Sequence, residues 1–172
     1  PDISSAFDSG NIDVKAIETR DGATVFRLAI RPDAYTAGTD NKTHRQWFHF
    51  RASNVRGRRC VFRIENIDET SFGDGFINYT VVSSYDREYW WRCRATTYKT
   101  AEDEARGFAP LSKFQSGSLA RAAPAPAAPA AAAAPVLEWT LTPEHATVWF
   151  AYWTPYSFER HMSVVAELAR AR

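Results

Sequence analysis

Apolar and polar residues alternate along most of this chain, and a period of two is the mark of a strand with one buried face. In residues 24–31, Phe26, Leu28 and Ile30 alternate with Arg27, Ala29 and Arg31, behind the turn pair Asp21-Gly22. In residues 46–52, Phe48, Phe50 and Ala52 form the expected core face. Trp47, His49 and Arg51 lie opposite, with His49 half-exposed. Asn54 and Gly57 mark a short turn, so residues 60–66, with Cys60, Phe62 and Ile64 inward, are expected to return as a hairpin. Ile77, Tyr79 and Val81 predict a weaker strand; Trp91, Cys93 and Ala95 are the inward set of another over 89–95. Residues 137–141 and 147–153 predict a final hairpin around Thr142-Pro143-Glu144, with Val148, Phe150 and Tyr152 facing one way.

The segments between these runs carry their own signals. Ser9-Gly10-Asn11 reads as a turn entering a strand at Ile12, with Asn11 suited to a positive φ. Residues 36–43 and 68–75 are polar loops. Residues 101–105 predict a helical turn, and the pattern then dissolves into an Ala/Pro run in which Pro124, Pro126, Pro129 and Pro135 interrupt helix formation. The last strand stops at Pro155, which cannot donate to a ladder. Ser157 is placed to cap a helix over about 157–170, and Phe158, Met162, Val165 and Ala169 recur at helical spacing. Seven or eight short strands and one terminal helix predict a mainly β fold: an antiparallel β-sandwich with a C-terminal α-helix. Residues 1–172 read as one domain with a solvated insert at about 101–135.

Composition narrows the partners. A formal net charge of +1 gives no general attraction to nucleic acid or anionic membrane, and Arg56-Gly57-Arg58-Arg59 reads as a polar turn. No apolar run reaches the roughly 18 to 20 residues of a membrane span. The polar start, Pro1 to Ser5, reads as carrying no secretory signal, and the missing initiator Met as a segment of a longer protein. Cys60 and Cys93 sit inside strand-like runs and are expected reduced and buried.

The residues offer little chemistry. His44, His49, His145 and His161 lack ligand spacing, and none is followed three residues later by Glu. There is no Gly-x-Ser-x-Gly elbow. Gly73-Asp74-Gly75 lacks the spacing of a phosphate loop, and Glu102-Asp103-Glu104 falls in the insert. The aromatic residues are the remaining signal: six Trp, seven Tyr and eleven Phe exceed what strands alone require. Trp47, Trp149 and Trp153 fall opposite the expected core. They suit a sugar-stacking platform on a free-standing carbohydrate- or protein-binding module, a contact surface for another domain, or simply a sheet buried on both faces.

Four stretches in order carry a resemblance: Phe7-Asp8-Ser9-Gly10-Asn11-Ile12, Gln46-Trp47-Phe48-His49-Phe50-Arg51, Phe62-Arg63-Ile64-Glu65-Asn66, and Phe150-Ala151-Tyr152-Trp153-Thr154-Pro155-Tyr156-Ser157. Together they resemble the amino-terminal domain of the cytosolic carboxypeptidases. The sequence departs from that pattern at His49, where a second aromatic is usual, and at Ser157-Phe158, where Thr-Tyr is usual. The resemblance implies a non-catalytic β-sandwich ahead of a zinc metallocarboxypeptidase domain, in a cytoplasmic protein that trims C-terminal residues such as glutamate from acidic tails like those of tubulin. It carries no catalytic residue and no metal ligand onto this sequence; zinc belongs to the domain that follows. It implies an interface with that domain in cis, for which Trp153, Pro155, Tyr156 and Phe158 are the candidates.

Overall fold

A computed structural model describes residues 1–34, 44–105 and 134–171. Ten strands form two five-stranded sheets. The first has the order β1 (Asp2–Ser4), β4 (His49–Ser53), β10 (Thr147–Ala151), β6 (Val82–Ser84), β7 (Trp91–Arg92). The second has the order β2 (Asp13–Arg20), β3 (Ala23–Ala29), β5 (Cys60–Ile64), β9 (Val136–Leu141), β8 (Thr96–Lys99). A short helix α1 (Ala101–Ala105) follows β8, and α2 (Phe158–Arg170) follows β10. The expected β-sandwich with a C-terminal helix is the fold, with one parallel pair, β3 with β5, in an otherwise antiparallel arrangement. The polar loop predicted at 36–43 and the Ala/Pro run lie outside the described residues, while the helical turn at 101–105 is present.

The inward residues come from the alternation. Phe26, Leu28, Phe62, Ile64, Leu137 and Trp139 of one sheet meet Phe50, Ala52, Val148 and Phe150 of the other, all within 1 % of full burial. Phe62 sits at the centre. Its ring lies flat on Phe26 with centroids 4.8 Å apart, 5.4 Å from Trp139, and 4.5 Å from Phe150 across the sandwich. Cys60 and Cys93 are free and buried, and burial pushes both thiols up to about 11, so both stay protonated near neutral pH.

Connectivity differs from the expected hairpins. β4 and β5 lie in different sheets, as do β9 and β10. β4 pairs with β10 and β5 with β9, so one two-stranded ribbon folds over a corner at residues 54–59 and 142–146. The corners are tied to each other: the Val55 amide donates to Ala146 at 3.2 Å and the Gly57 amide to Pro143 at 2.8 Å. Inward alternation at Phe50 and Phe62 is the same for a hairpin and for this crossing. The crossing connection carries two left-handed residues, Asn54 (φ 58) and Gly57 (φ 67). Asp21 (φ 49) and Gly22 (φ 73) do close a hairpin, β2 to β3, where both central residues need positive φ.

Two weaker strands are shorter than their patterns suggest. Residues 77–81 are not a strand: a 3-10 turn, Gly73–Phe76, precedes them, and Asn78 is left-handed at φ 61. In the 89–95 run only Trp91–Arg92 pairs; Cys93 turns inward as expected, but Ala95 is exposed. The chain there crosses to the other sheet, held by Thr96, whose hydroxyl donates to the Cys93 carbonyl at 2.6 Å and accepts from the Val81 amide at 3.3 Å.

The outer face of the second sheet carries charge in place of apolar cover. Arg63 faces Glu138 in register, Nη1 to Oε2 at 2.5 Å, and Lys99 reaches the other oxygen of Glu138 at 2.8 Å. Glu65 links Arg63 (3.4 Å) to Arg27 (2.9 Å). Because Glu138 is buried and holds both Arg63 and Lys99, removing it is more costly than removing one partner of an exposed pair.

The position of Phe62 sets the first prediction. Phe62→Ala should destabilise the domain by about 3–5 kcal/mol in urea unfolding, the range for truncating a buried aromatic. Phe72→Ala, at an exposed position, should stay within about 0.5 kcal/mol of the parent. Equal effects would remove Phe62 from the centre of the core.

Candidate functional site

Strand β10 ends by delivering the chain to a joint. Tyr152 is pinned first: its amide donates to the Phe48 carbonyl at 2.9 Å, and its hydroxyl accepts from Gln46 at 3.2 Å. Its ring stacks on Tyr79 at 5.1 Å, and the Tyr79 hydroxyl donates to the Tyr152 carbonyl. Burial raises the Tyr79 hydroxyl well above the ordinary phenol range, so it remains a donor at any working pH. Trp153 then swings outward, 51 % exposed, with the Arg92 guanidinium 4.9 Å from its ring. Pro155 is half-buried and ends the extended run. Tyr156 is exposed and its hydroxyl lies 3.3 Å from His161 Nδ1. Ser157 is buried, and its hydroxyl accepts from the Arg160 amide at 3.2 Å, the cap its position predicts.

The N-terminal loop meets this joint from 150 positions away. Asp8 Oδ2 accepts from the Phe158 amide at 2.6 Å, so helix α2 is capped by two side chains, one local and one remote. The residues around Asp8 each have a task. Ser9, not Asn11, takes the left-handed backbone at φ 62. Asn11 instead bridges to His49 in the backbone ladder and donates its amide to the carbonyls of Arg31 (3.1 Å) and Trp47 (2.9 Å). Gly10 passes so close to Ser5 that a Cβ would stand 2.0 Å from its carbonyl oxygen.

His49 corrects a second expectation. It is on the outer side of its strand but only 1 % exposed, because loops cover it. Phe7 (4.8 Å), Trp90 (5.8 Å) and Trp47 (6.1 Å) pack edge-on around the ring, and Ser9 Oγ lies 2.9 Å from Nδ1. The Trp47 indole donates to the Ser9 carbonyl at 2.7 Å. An alternation rule assigns the outer face to solvent; it has no knowledge of a loop folding back over that face.

The third wall is the loop 84–90. Ser84 Oγ accepts from the Arg87 amide at 2.8 Å; Asp86 Oδ1 accepts from the amides of Tyr89 (2.8 Å) and Glu88 (2.9 Å). Those amide bonds, Tyr89 foremost, hold the Asp86 carboxyl below its usual range. Arg87, at φ 70, puts its guanidinium 5.9 Å over the Phe7 ring and 3.3 Å from Glu159 of α2. Between this loop and α2 runs a groove of about 470 Å³, floored by His49, Trp90 and Pro155.

Sequence reasoning named Trp153, Pro155, Tyr156 and Phe158; at the joint Trp153, Tyr156 and Phe158 are exposed and Pro155 is half-buried. It missed Asp8, Arg87 and Glu159, which fix that joint; the available signal was Ser84-x-Asp86, a side-chain-closed turn. Of the three Trp residues expected outward, only Trp153 is exposed, while Trp47 and Trp149 are half-buried. Among the described residues, no group of three or more His, Cys, Asp or Glu could hold a metal ion. The joint offers a fixed surface.

Comparison with known proteins gives the family. Residues 3–107 match the family described as cytosolic carboxypeptidase N-terminal domain. A curated protein of Zymomonas mobilis, described as uncharacterized, is 24% identical over 168 residues, covering 97% of this chain and 32% of its own length. The metallo-carboxypeptidase of Burkholderia cenocepacia is 30% identical with a TM-score of 0.65, over 96% of this chain and 32% of that one. The metallo-carboxypeptidase of Pseudomonas aeruginosa, solved with (2-guanidinoethylmercapto)succinic acid, is 30% identical with a TM-score of 0.66, over 97% and 33%. The chain thus spans about a third of the length of these relatives.

His49 makes the joint sensitive to acid. Burial presses its imidazole down to about 4, with the charge of Arg87 adding to the effect and that of Asp8 opposing it. An unfolded imidazole titrates near ~6.5, so in between the unfolded chain takes up a proton that the folded chain refuses. Its contribution is complete above pH ~6.5 and is lost as the pH falls towards 4, by ~3 kcal/mol in all. His49→Phe should therefore flatten the decline in unfolding free energy between pH 7 and 4.5 relative to the parent. Parallel declines in the two proteins would refute this role for His49.

Proposed function

This chain belongs to the family of cytosolic carboxypeptidase N-terminal domains, and we propose that it serves as the non-catalytic β-sandwich of a zinc metallocarboxypeptidase, seated against a catalytic domain in cis. The observation that carries the reading is the strip Trp153, Pro155, Tyr156 and Phe158. Three of its aromatic rings stand exposed on backbone held at Tyr152, at Asp8 and at Ser157. Immobile, exposed aromatics are what an interface core uses, since little side-chain or backbone entropy remains to be lost on docking.

In this reading the sandwich helps to shape the approach to the catalytic cleft, and the substrates are C-terminal residues such as glutamate on acidic protein tails, tubulin among the candidates. Zinc would be held by the catalytic domain. The four histidines here engage Ser71 (His44), Ser9 (His49), the Tyr85 ring (His145) and Tyr156 (His161), and they are not gathered into a ligand set. Among the described residues no helix is long and apolar enough to cross a membrane; a cytoplasmic location is part of the proposal.

The test uses the full-length protein. Trp153, Tyr156 and Phe158 changed together to Ala should lower kcat/KM for C-terminal residue release at least tenfold, since central interface aromatics are worth on the order of 2 kcal/mol each. The melting temperature of this chain alone should not move by more than a degree or two. Chelators should abolish activity in the parent. Unchanged kcat/KM in the triple variant would sink the proposal.

A further inference from the structure

Helix α2 is amphipathic, and it is mounted the wrong way round for a helix of this domain. Glu159, Arg160, Ser163, Val164 and Glu167 lie along the groove that faces the sandwich. The apolar stripe of Phe158 (68 % exposed), Met162 (49 %), Val165 (45 %) and Leu168 (65 %) points to solvent, and no residue of α2 is buried. An amphipathic helix normally turns its apolar stripe to the core it belongs to. A helix of 13 residues is also marginal in water without tertiary burial. Its start is nonetheless held firmly: Asp8 and Ser157 cap it, and Arg87 grips Glu159.

We propose that α2 is a strut shared by two folded bodies, capped by the sandwich at its N-terminus and buried along its apolar stripe by the catalytic domain. The sandwich owns the first turn, and the other body owns the stripe. The occupant is argued from length and direction. The relatives are about three times as long as this chain and the matching family model is described as an N-terminal domain, so in this reading the rest of such a protein follows on the C-terminal side. α2 is the element that leads there. The boundary between the bodies then falls at Pro155, and the connection is a continuous helix. Turning the sandwich relative to its partner would require breaking the Asp8 cap. This inference rests on the presence of a second domain, but it adds Met162, Val165 and Leu168 to the interface and assigns Asp8 and Arg87 as positioning residues.

The experiment compares Val165→Glu/Leu168→Glu in this chain and in the full-length protein, each followed by calorimetry and limited proteolysis. In this chain the melting temperature should hold within a degree or two. In the full-length protein the transition of the second body should fall by 10 °C or more, with new cleavage beyond residue 172. Full-length Asp8→Ala/Arg87→Ala should leave both bodies folded but split a shared transition into two. An unchanged full-length melt in the Glu variant overturns the proposal. So does a stripe that proves to be a self-association face, read as a dimer of the full-length protein that the Glu variant abolishes. These readouts do not depend on activity: a full-length parent lacking chelator-sensitive peptidase activity would sink the functional reading while leaving the melting result to stand on its own.

Discussion

Two backbone hydrogen bonds, Val55 to Ala146 and Gly57 to Pro143, join the places where two strands leave one sheet for the other. The ladders β4–β10 and β5–β9 pair the strands, and these two bonds tie the connecting loops to each other at the corner. With them, a single ribbon supplies the middle of both sheets, and both layers are positioned together. Phe50 and Phe150 are carried on one half of that ribbon, Phe62 and Trp139 on the other, so folding it over brings the four rings into one cluster. β1, β6, β3 and β8 add to the edges of this folded ribbon, and β7 and β2 extend the sheets beyond β6 and β3. Four of the chain's aromatic residues are the filling of this corner.

The joint depends on the same ribbon. β10 runs from the corner at one end to Tyr152 at the other, so the site of chain exit is set by the register of β10 against β4. The N-terminal loop reaches the exit because Asn11 pairs with His49 at the start of β4. Gly10 allows that loop to cross Ser5 closely enough for Asp8 to arrive at the helix amide. A polar device built from both ends of the chain thus fixes an apolar surface that the sandwich itself leaves uncovered.

Faces were legible in the sequence, and partners were not. The inward sets at Phe26, Phe50, Phe62 and Phe150 followed from alternation alone, because the pleat fixes sides without reference to neighbours. The pairings of β4 and β9 did not follow, because a six-residue connection suits a hairpin and a change of sheet equally. Ser157 was readable as a cap since its geometry is local. Asp8 was not, as nothing in a stretch of residues announces a contact 150 positions away. The burial of His49 was invisible for the same reason: its cover comes from Phe7 and Trp90. The reversed mounting of α2 appeared only once the helix had a direction in space.

The Asp8–Phe158 bond also has a consequence for biosynthesis. A chain made from its N-terminus presents β1 and β4 early, yet β10, which lies between β4 and β6, is nearly the last strand to emerge. Until then the first sheet has a gap at its centre, and Phe62 has no Phe150 to rest on. Such late closure leaves apolar surface open until β10 is made. Asp8 can reach the Phe158 amide only once α2 has been made, so the joint closes after β10 is available to the sandwich.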